Sequence, residues 1–211
     1  MSARRPTKSA YHHGDLRNAL VEAGVALLRA KGPHALSLRE VAKQAKVSHA
    51  APYRHFADKH ALLAAIAHQG FRRLGAAMAA AEAAHPDDPL RQLEEAGWAY
   101  VDLAVRNPEI TQLMFGGVLE PERCDAKMLA DAQGAFEGLL RIIENGRAAG
   151  LLQARDSQEL ALAAWSLAHG FAMLVAGGQL PPPLVAGDQV DALSRTLCRL
   201  LIEGLQRTTR A

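Results

Sequence analysis

The stretch SLREVAKQAKVSHAAPYRHFADK, residues 37–59, decides the fold of this chain. Its first four residues form a capping box, in which the Ser37 side chain and the Glu40 side chain satisfy free backbone N–H groups at a helix start. A short helix is therefore predicted to begin after Ser37. A tight turn at Lys46-Val47 separates it from a second short helix, predicted over residues 48–56. Two short helices joined by a tight turn are typical of a helix-turn-helix motif.

Helical signals continue on both sides of this stretch. A helix over residues 15–31 precedes it, with Gly32-Pro33 as its stop signal. No strand is predicted, because Ala and Leu dominate and alternating Val/Ile/Thr-rich runs are missing. The predicted fold class is all-α, with a three-helix head, a helical body and about nine helices. The later helices are predicted by apolar spacing over residues 58–82, 89–106, from 108 onward, 121–149, 156–176 and 188–206.

The charge of the chain is divided unevenly. Residues 1–60 contain 11 Lys and Arg against 4 Asp and Glu, whereas the remaining residues contain 13 against 18. A basic head on an acidic body indicates that only the head meets a polyanion. A solvated charged face would give the same count, so motifs must decide.

Several protein classes fit the sequence poorly. Cys124 and Cys198 have no metal-ligand spacing and indicate a reducing compartment. No Gly-rich phosphate loop, HExxH motif or Cys-centred nucleophile site occurs, so no enzyme, metal or cofactor is predicted. Residues 160–178 are apolar enough to span a membrane. Their many Ala and Gly residues, the central His169 and the absence of flanking basic clusters favour a buried helix of a soluble protein.

The head resembles the DNA-binding head of the TetR family of transcriptional regulators. The body resembles the regulatory half of a TetR subgroup marked by Trp165, His169 and Gly170, and the start Tyr11–Leu16 fits the same subgroup. Two positions depart from the family pattern: Lys46 replaces a turn glycine and is expected to need φ > 0, and Pro52 replaces Leu or Ile. The head resemblance rests on Ser37–Ala42, Val47-Ser48, Tyr53–Phe56, Asp58-Lys59 and Leu62-Leu63.

The resemblance implies a cytoplasmic, homodimeric regulator that represses from a palindromic DNA operator and is released by a small, largely apolar effector. An effector-independent architectural DNA-binding dimer is the alternative. The expected organisation is a mobile basic arm (1–14), a DNA-binding domain (15–60) and an effector-binding and dimerisation domain (61–211). Arg4, Arg5 and Lys8 of the arm either reach a DNA groove or form a free tail.

The second helix of the motif is expected to enter the major groove. Arg39 is the best candidate to read a base, since Arg binds guanine bidentately. His49, Ala50 and Ala51 face base edges, with the alanines suited to thymine methyls. Phosphate contacts are expected from Ser37, Ser48, Tyr53, His55 and Lys59. The alternatives are capping alone for the serines and core packing for Tyr53.

The last two helices are predicted to pair with their twofold mates in a four-helix bundle. The expected interface residues are alanines on the first of these helices and larger aliphatic residues on the second. Packing of the alanines within their own chain is the alternative. These residues are Ala164, Ala168, Ala172, Val190, Leu193, Leu197 and Leu201.

A mostly apolar effector pocket is predicted among the body helices. His169 is the only ionisable group on a nearly all-apolar helix, and it either orients a ligand, binds a dimer partner or is a satisfied core histidine. For each candidate, ordinary core packing is the alternative. The candidate lining residues are Trp98, Met114, Phe115, Met128, Phe136, Trp165, His169 and Phe171.

Overall fold

The structure is a computed structural model that describes residues 13–206, with side chains from Leu16 onward. The predicted basic arm therefore lies outside the described residues. The chain forms two compact units, Met1–Ile66 and Ala67–Ala211. The boundary falls after residue 66, whereas the sequence analysis divides the chain after residue 60.

The described residues are helical, as predicted, with one isolated β-bridge between Leu152 and Gln206. Eight α-helices are present within residues 13–206. Their bounds are α1 His13–Ala35, α2 Leu38–Gln44, α3 Lys59–Ala84, α4 Pro89–Arg106, α5 Pro108–Phe115, α6 Ala126–Ala148, α7 Ser157–Ala176 and α8 Gln189–Leu205.

The N-terminal unit is built from α1, α2 and the start of α3. The regular turns of α1 end at Gly32, whose φ of 73° breaks the helix as the Gly32-Pro33 signal predicts. Half of the predicted capping box forms at α2. The Glu40 N–H donates to Ser37 Oγ at 3.2 Å, whereas the Glu40 carboxylate accepts from Lys31 Nζ at 3.0 Å. The fully buried side chains of the unit's core include Leu20, Leu28, Val41, Leu62 and Ile66.

The end of α2 has the backbone geometry that the sequence predicts. Lys46 has a φ of 55° and is the single non-glycine residue with positive φ among the described residues. The Val47 N–H donates to the Ala42 carbonyl at 3.0 Å, and the Lys46 N–H donates to the Lys43 carbonyl at 3.1 Å. This pair of bonds is a Schellman motif, in which the residue after the helix cap adopts the left-handed conformation.

The predicted helix over residues 48–56 is wrong in its extent. Only Pro52–Arg54 is helical, as one turn of 3₁₀-helix. Before Phe56 the backbone bonds join residues three apart, from Ala51 N–H to Ser48 O at 2.9 Å and from Arg54 N–H to Ala51 O at 3.2 Å, and a single bond between residues four apart follows, from Phe56 N–H to Pro52 O at 2.9 Å. Pro52 has no N–H to donate to Ser48, so an α-helical bond cannot form at that position.

Aspartate side chains cap three helices of the C-terminal unit, α4, α6 and α7. Asp88 accepts from the Arg91 N–H at 3.0 Å, Asp125 from the Met128 N–H at 2.7 Å and Asp156 from the Gln158 N–H at 2.8 Å. Each satisfies one of the free backbone donors at a helix start. The predicted helix over 121–149 is shorter as observed: a 3₁₀ turn occupies Pro121–Arg123, and α6 begins after its Asp125 cap.

The core of the C-terminal unit lies where α4 packs against α6, α7 and α8. Its fully buried members include Ile142, Ile143, Ala161 and Ala172. Helix α7 is long and apolar enough to cross a membrane by length and composition, with a mean hydropathy of 1.4. One face of α7 contributes to this core, which explains much of its apolar character.

Candidate DNA-binding head and effector cavity

The residues expected to meet DNA are mostly exposed in the N-terminal unit. Arg39 projects from the first turn of α2 as an exposed side chain, and His49 and Ala50 are exposed in the turn that follows. Tyr53 is 54% exposed, which excludes core packing as its role. Ser48 is also exposed, so its hydroxyl is accessible.

Three expected DNA contacts are used otherwise in the structure. Ala51 is only 9% exposed, so its methyl group packs into the head and is not presented to thymine. Ser37 is half-buried and caps α2. Lys59 Nζ donates to the His34 carbonyl at 3.1 Å, which leaves two of its N–H donors for other partners.

One exposed cation next to these residues was not selected from the sequence. Arg54 belongs to the 3₁₀ turn and is exposed, beside Tyr53 and half-buried His55. The predicted helix over residues 48–56 gives no reason to select Arg54. In the structure Arg54 ends the 3₁₀ turn that begins at Pro52, and its side chain is exposed.

The C-terminal unit contains a cavity of about 260 Å³. Helices α3 to α8 all contribute to its wall, and its lining is dominated by aromatic and aliphatic side chains. The residues that line it are Phe71, Leu74, Met78, Leu93, Ala96, Gly97, Tyr100, Phe115, Ala132, Ala135, Phe136, Leu139, Ala164, Trp165, Leu167, Ala168, Cys198 and Leu201.

Three of the eight predicted lining residues are in this wall, namely Phe115, Phe136 and Trp165. The Phe115 and Trp165 ring centroids lie 5.5 Å apart, and those of Phe136 and Trp165 lie 6.1 Å apart. Such tilted contacts fix the orientation of aromatic walls. The cavity is therefore bounded on this side by the Trp165 ring and the two phenylalanine rings that pack against it.

The other five predicted lining residues are placed elsewhere. Trp98 lies outside the cavity between α4 and α8, where the Arg195 guanidinium stacks 4.5 Å from its ring centroid and its N–H donates to Asp191. Met114 packs against Gly70. Met128 and Phe171 are buried without lining the cavity. His169 does not line the cavity either, and it lies next to the lining residue Tyr100.

His169 is a histidine with a hydrogen-bonded partner, as one of the alternatives predicts. Its Nδ1 lies 2.7 Å from the Tyr100 hydroxyl oxygen, and Tyr100 lines the cavity. Burial lowers the pKa of His169. Burial also raises the pKa of Tyr100 to about 12, an effect partly offset by the neighbouring Trp165 side chain. The imidazole is therefore neutral and the phenol protonated near pH 7.

Several cavity residues escaped the sequence analysis. Phe71, Leu74 and Met78 lie on α3. Their spacing of three and four residues places them on one face of the helix, and this spacing is the sequence signal that could have identified them. Cys198 carries no pattern that would place it in a cavity. Its thiol is buried, and burial raises its pKa to about 11, so it stays protonated.

The alanine stripe of α7 faces its own chain. Ala164, Ala168 and Ala172 are 8%, 7% and 0% exposed, and the first two line the cavity. Their assignment to a dimer interface is therefore wrong, because the intrachain alternative accounts for them. Val190, Leu193, Leu197 and Leu201 of α8 are partly buried against the same core.

No group of three or more His, Cys, Asp or Glu side chains suited to a metal occurs within the described residues.

The chain combines a basic helix-turn-helix unit with a second helical unit that holds an apolar cavity. This combination defines a DNA-binding transcriptional regulator.

Comparison with known proteins agrees with this class. A model of bacterial regulatory proteins of the tetR family matches residues 20–66, and a tetracyclin repressor-like C-terminal domain matches residues 93–201. The chain belongs to the TetR family of transcriptional regulators. No curated protein matches it significantly.

Solved structures are similar over nearly the whole chain. A protein of unknown function from Rhodococcus sp. RHA1 is 34% identical, with a TM-score of 0.81, covering 95% of this chain and 100% of that one. The TetR family transcriptional regulator PfmR from Thermus thermophilus is 25% identical, with a TM-score of 0.70, covering 89% and 99%. The fatty acid degradation regulator FadR from Bacillus halodurans shares the fold at 16% identity, with a TM-score of 0.71, covering 96% and 100%.

Proposed function

We propose that this chain is a cytoplasmic homodimer that represses transcription from a palindromic operator, and that a small, largely apolar effector releases it. The observation that carries this proposal is the presence, in one TetR-family chain, of an aromatic-walled cavity of about 260 Å³. A mostly apolar cavity with few polar groups suits a small, largely apolar ligand.

The exposed residues of the head divide into two roles in this proposal. Arg39 reads a base through its guanidinium, and His49 and Ala50 lie against neighbouring base edges. Tyr53 and Arg54 bind phosphates through donors that carry no sequence information. This division makes separate predictions for specificity and for affinity.

The homodimer is proposed to form through the outward face of α7 together with α8. Leu162 and Leu174 on α7 are 53% and 41% exposed, and Leu200 on α8 is 57% exposed. Ser166 and Gly170 lie between the two leucines on the same face of α7 and are exposed. Large apolar side chains that share an exposed face favour a protein partner, and a twofold axis pairs such a face with itself.

Helix α3 links cavity and head in the proposed mechanism. Phe71, Leu74 and Met78 line the cavity, and the same helix begins at Lys59 in the N-terminal unit. An effector that binds more tightly to a conformation with displaced α3 shifts the population toward it. In that conformation the two heads of the dimer no longer match successive major grooves, which are about 34–36 Å apart.

An effector-independent architectural dimer is the competing function. It requires the head and a dimer interface but gives the cavity no role. Because the cavity is lined by six helices and walled by packed aromatic rings, we favour ligand control.

The test begins with an operator selected from random DNA by the purified protein. Arg39→Ala should relax specificity at one symmetric position per half-site, with a loss of about 1–3 kcal/mol on the selected operator. Arg54→Ala should weaken all sequences about equally and reduce the salt dependence of log K by about one for each head, or about two for the dimer. Fluorescence anisotropy over a series of salt concentrations measures both effects.

The matched control is Arg155→Ala, which removes an exposed cation from the loop between α6 and α7 in the body. It should leave DNA affinity unchanged. An Arg39→Ala protein that selects the unchanged operator would refute base reading, and an equal loss from Arg155→Ala would refute the assignment of DNA binding to the head. Apolar compounds that stabilise the protein thermally should also release the labelled operator, and their failure to do so would favour the architectural alternative.

A further inference from the structure

Small residues on three helices leave the space of the cavity. Helices α4, α6 and α7 each contribute two residues no larger than alanine to its wall, namely Ala96, Gly97, Ala132, Ala135, Ala164 and Ala168. A larger side chain at any of the alanine positions would occupy part of the space, because the surrounding helices are closely packed. The volume of about 260 Å³ is therefore set by these residues and limits what can bind.

This volume corresponds to a ligand of two fused rings. An apolar cavity of about 150 Å³ holds benzene, which has six carbons. In proportion, a cavity of about 260 Å³ holds about ten non-hydrogen atoms, the number in naphthalene. A third fused ring would have to displace wall side chains, and closely packed interiors resist such overpacking.

The wall is rich in aromatic rings that contact one another. The Phe115 ring centroid lies 5.6 Å from that of Phe71 and 5.5 Å from that of Trp165. Tyr100 packs on Phe115 at 6.2 Å, and Phe136 packs on Trp165 at 6.1 Å. All five rings line the cavity. A flat aromatic ligand can therefore stack on one wall ring and meet another edge-on, which are the arrangements that aromatic pairs prefer.

The wall offers no partner for a charge. None of the described residues that line the cavity is an Asp, Glu, Lys, Arg or His. Burial raises the pKa of Tyr100 to about 12 and the pKa of Cys198 to about 11, so both side chains are neutral near pH 7. A carboxylate or ammonium group in the cavity would be buried without an opposite charge, which is strongly unfavourable.

Helix α6 supplies two of the residues that bound the space. Ala135 is 5% exposed, and Leu139 lies one turn later on the same face of the helix. Both residues line the cavity. Leu129 and Ala130 of the same helix are exposed and lie outside the wall, so α6 provides a matched control for each position.

We propose that the cavity binds an uncharged aromatic ligand of about ten non-hydrogen atoms, and that Ala135 and Leu139 set its upper size. The inference rests on the proposed role of the cavity as the effector site. A single ring leaves part of the space empty and forfeits contacts with the lining, whereas three fused rings overfill it.

Phenol, 2-naphthol and 9-phenanthrol test the size limit. They carry one, two and three fused rings with a single hydroxyl, which is uncharged near pH 7 and can both donate and accept a hydrogen bond. In calorimetric titration of the DNA-free protein, 2-naphthol should bind at least about tenfold more tightly than phenol, because it buries more apolar surface. It should also bind at least about tenfold more tightly than 9-phenanthrol, which overfills the cavity.

Two further comparisons test aromaticity and charge. Decahydro-2-naphthol has the non-hydrogen atoms of 2-naphthol without its aromatic rings, and it should bind at least about twofold more weakly than 2-naphthol. Benzamide and benzoate have nearly the same shape, and only benzoate is charged near pH 7. Benzamide should bind at least about tenfold more tightly than benzoate.

Two substitutions on α6 should move the size limit in opposite directions. Ala135→Val adds two carbons to the wall and should lower the 2-naphthol-to-phenol affinity ratio about tenfold. Leu139→Ala removes three carbons and should raise the 9-phenanthrol-to-2-naphthol affinity ratio about tenfold. The controls Ala130→Val and Leu129→Ala make the same changes outside the wall and should leave both ratios unchanged.

Equal affinities within any of the wild-type comparisons would overturn the inference. Unchanged ratios in a folded Ala135→Val or Leu139→Ala protein would overturn it as well, and the wild-type comparisons remain decisive if a variant fails to fold by circular dichroism. Binding of none of the probes to the wild-type protein would overturn both the inference and the proposed effector site. Because binding is measured without DNA, ligands that show the expected ratios but do not release the operator refute only the proposed function.

Discussion

Replacing Lys46 by glycine should stabilise the head unit, although it removes a charge and all side-chain contacts. Lys46 occupies the left-handed position of the Schellman motif that ends α2, with a φ of 55°. The same motif ends α6 at Gly150 (φ 71°) and α7 at Gly178 (φ 63°). A left-handed conformation costs an L-residue about 1–2 kcal/mol, and the chain avoids this cost at two of the three motifs by using glycine.

The net gain from Lys46→Gly is smaller than the relief of strain. Glycine enlarges the conformational entropy of the unfolded chain, which opposes the gain by about 0.4–1 kcal/mol. We therefore expect the free energy of unfolding to rise by up to about 1 kcal/mol. Denaturant unfolding monitored by circular dichroism measures it, and operator affinity should fall slightly because one exposed cation of the head is lost.

Gly150→Lys is the matched control, because it makes the reverse change in the same backbone motif. It should destabilise the protein by about 1 kcal/mol or somewhat less, after the unfolded-state entropy is taken into account. A clear loss of stability in Lys46→Gly would refute the reasoning. It would mean that contacts of the lysine side chain outweigh the backbone strain.

Two further predictions concern the C-terminal unit. Leu162→Arg should give monomers by light scattering and weak binding to a palindromic operator, because it places a charge on the exposed apolar face of α7. The control Leu151→Arg changes an exposed leucine outside α7 and should remain dimeric. A dimeric Leu162→Arg protein would mean that the interface lies elsewhere. Because the pKa of His169 is lowered on folding, the unfolded chain binds the extra proton first as the pH falls below about 6.5. The wild-type protein should therefore lose stability relative to His169→Phe from about pH 6.5 downward, and parallel stability curves would contradict this.

Local signals in the sequence predicted most of the fold. Several of these signals depend on interactions within a few residues, so they can be read without knowledge of the partner helices. They are the helix start at Ser37, the break at Gly32 and the limits of α4. The third helix of the head was wrong for a local reason. Pro52 lies in the first turn of the predicted helix, where proline is tolerated, but in the structure the Ala51 N–H bonds to the Ser48 carbonyl three residues back and no α-helical turn forms there.

The cavity and the dimer face depend on tertiary packing, which periodicity does not specify. Helix α7 is apolar or small on most of its surface, so its pattern identifies faces without saying which of them meets the core. Ala168 turned out to face the cavity, and Leu162 faces outward. Trp98 was misplaced for a similar reason, because its partners Arg195 and Asp191 lie almost one hundred positions away in the sequence.

Gly70 of α3 affects how the proposed effector signal can travel along this helix. Glycine weakens a helix interior by about 1 kcal/mol relative to alanine, and Gly70 lies between the head and the cavity residues Phe71 and Leu74. Ile110 and Met114 of α5 pack directly over Gly70, where a side chain would collide with them. This close contact clamps the helix at its weakest point before the cavity. In the proposed mechanism, a ligand pressing on Phe71 therefore displaces α3 and α5 together, and local unfolding at Gly70 would first have to break this contact.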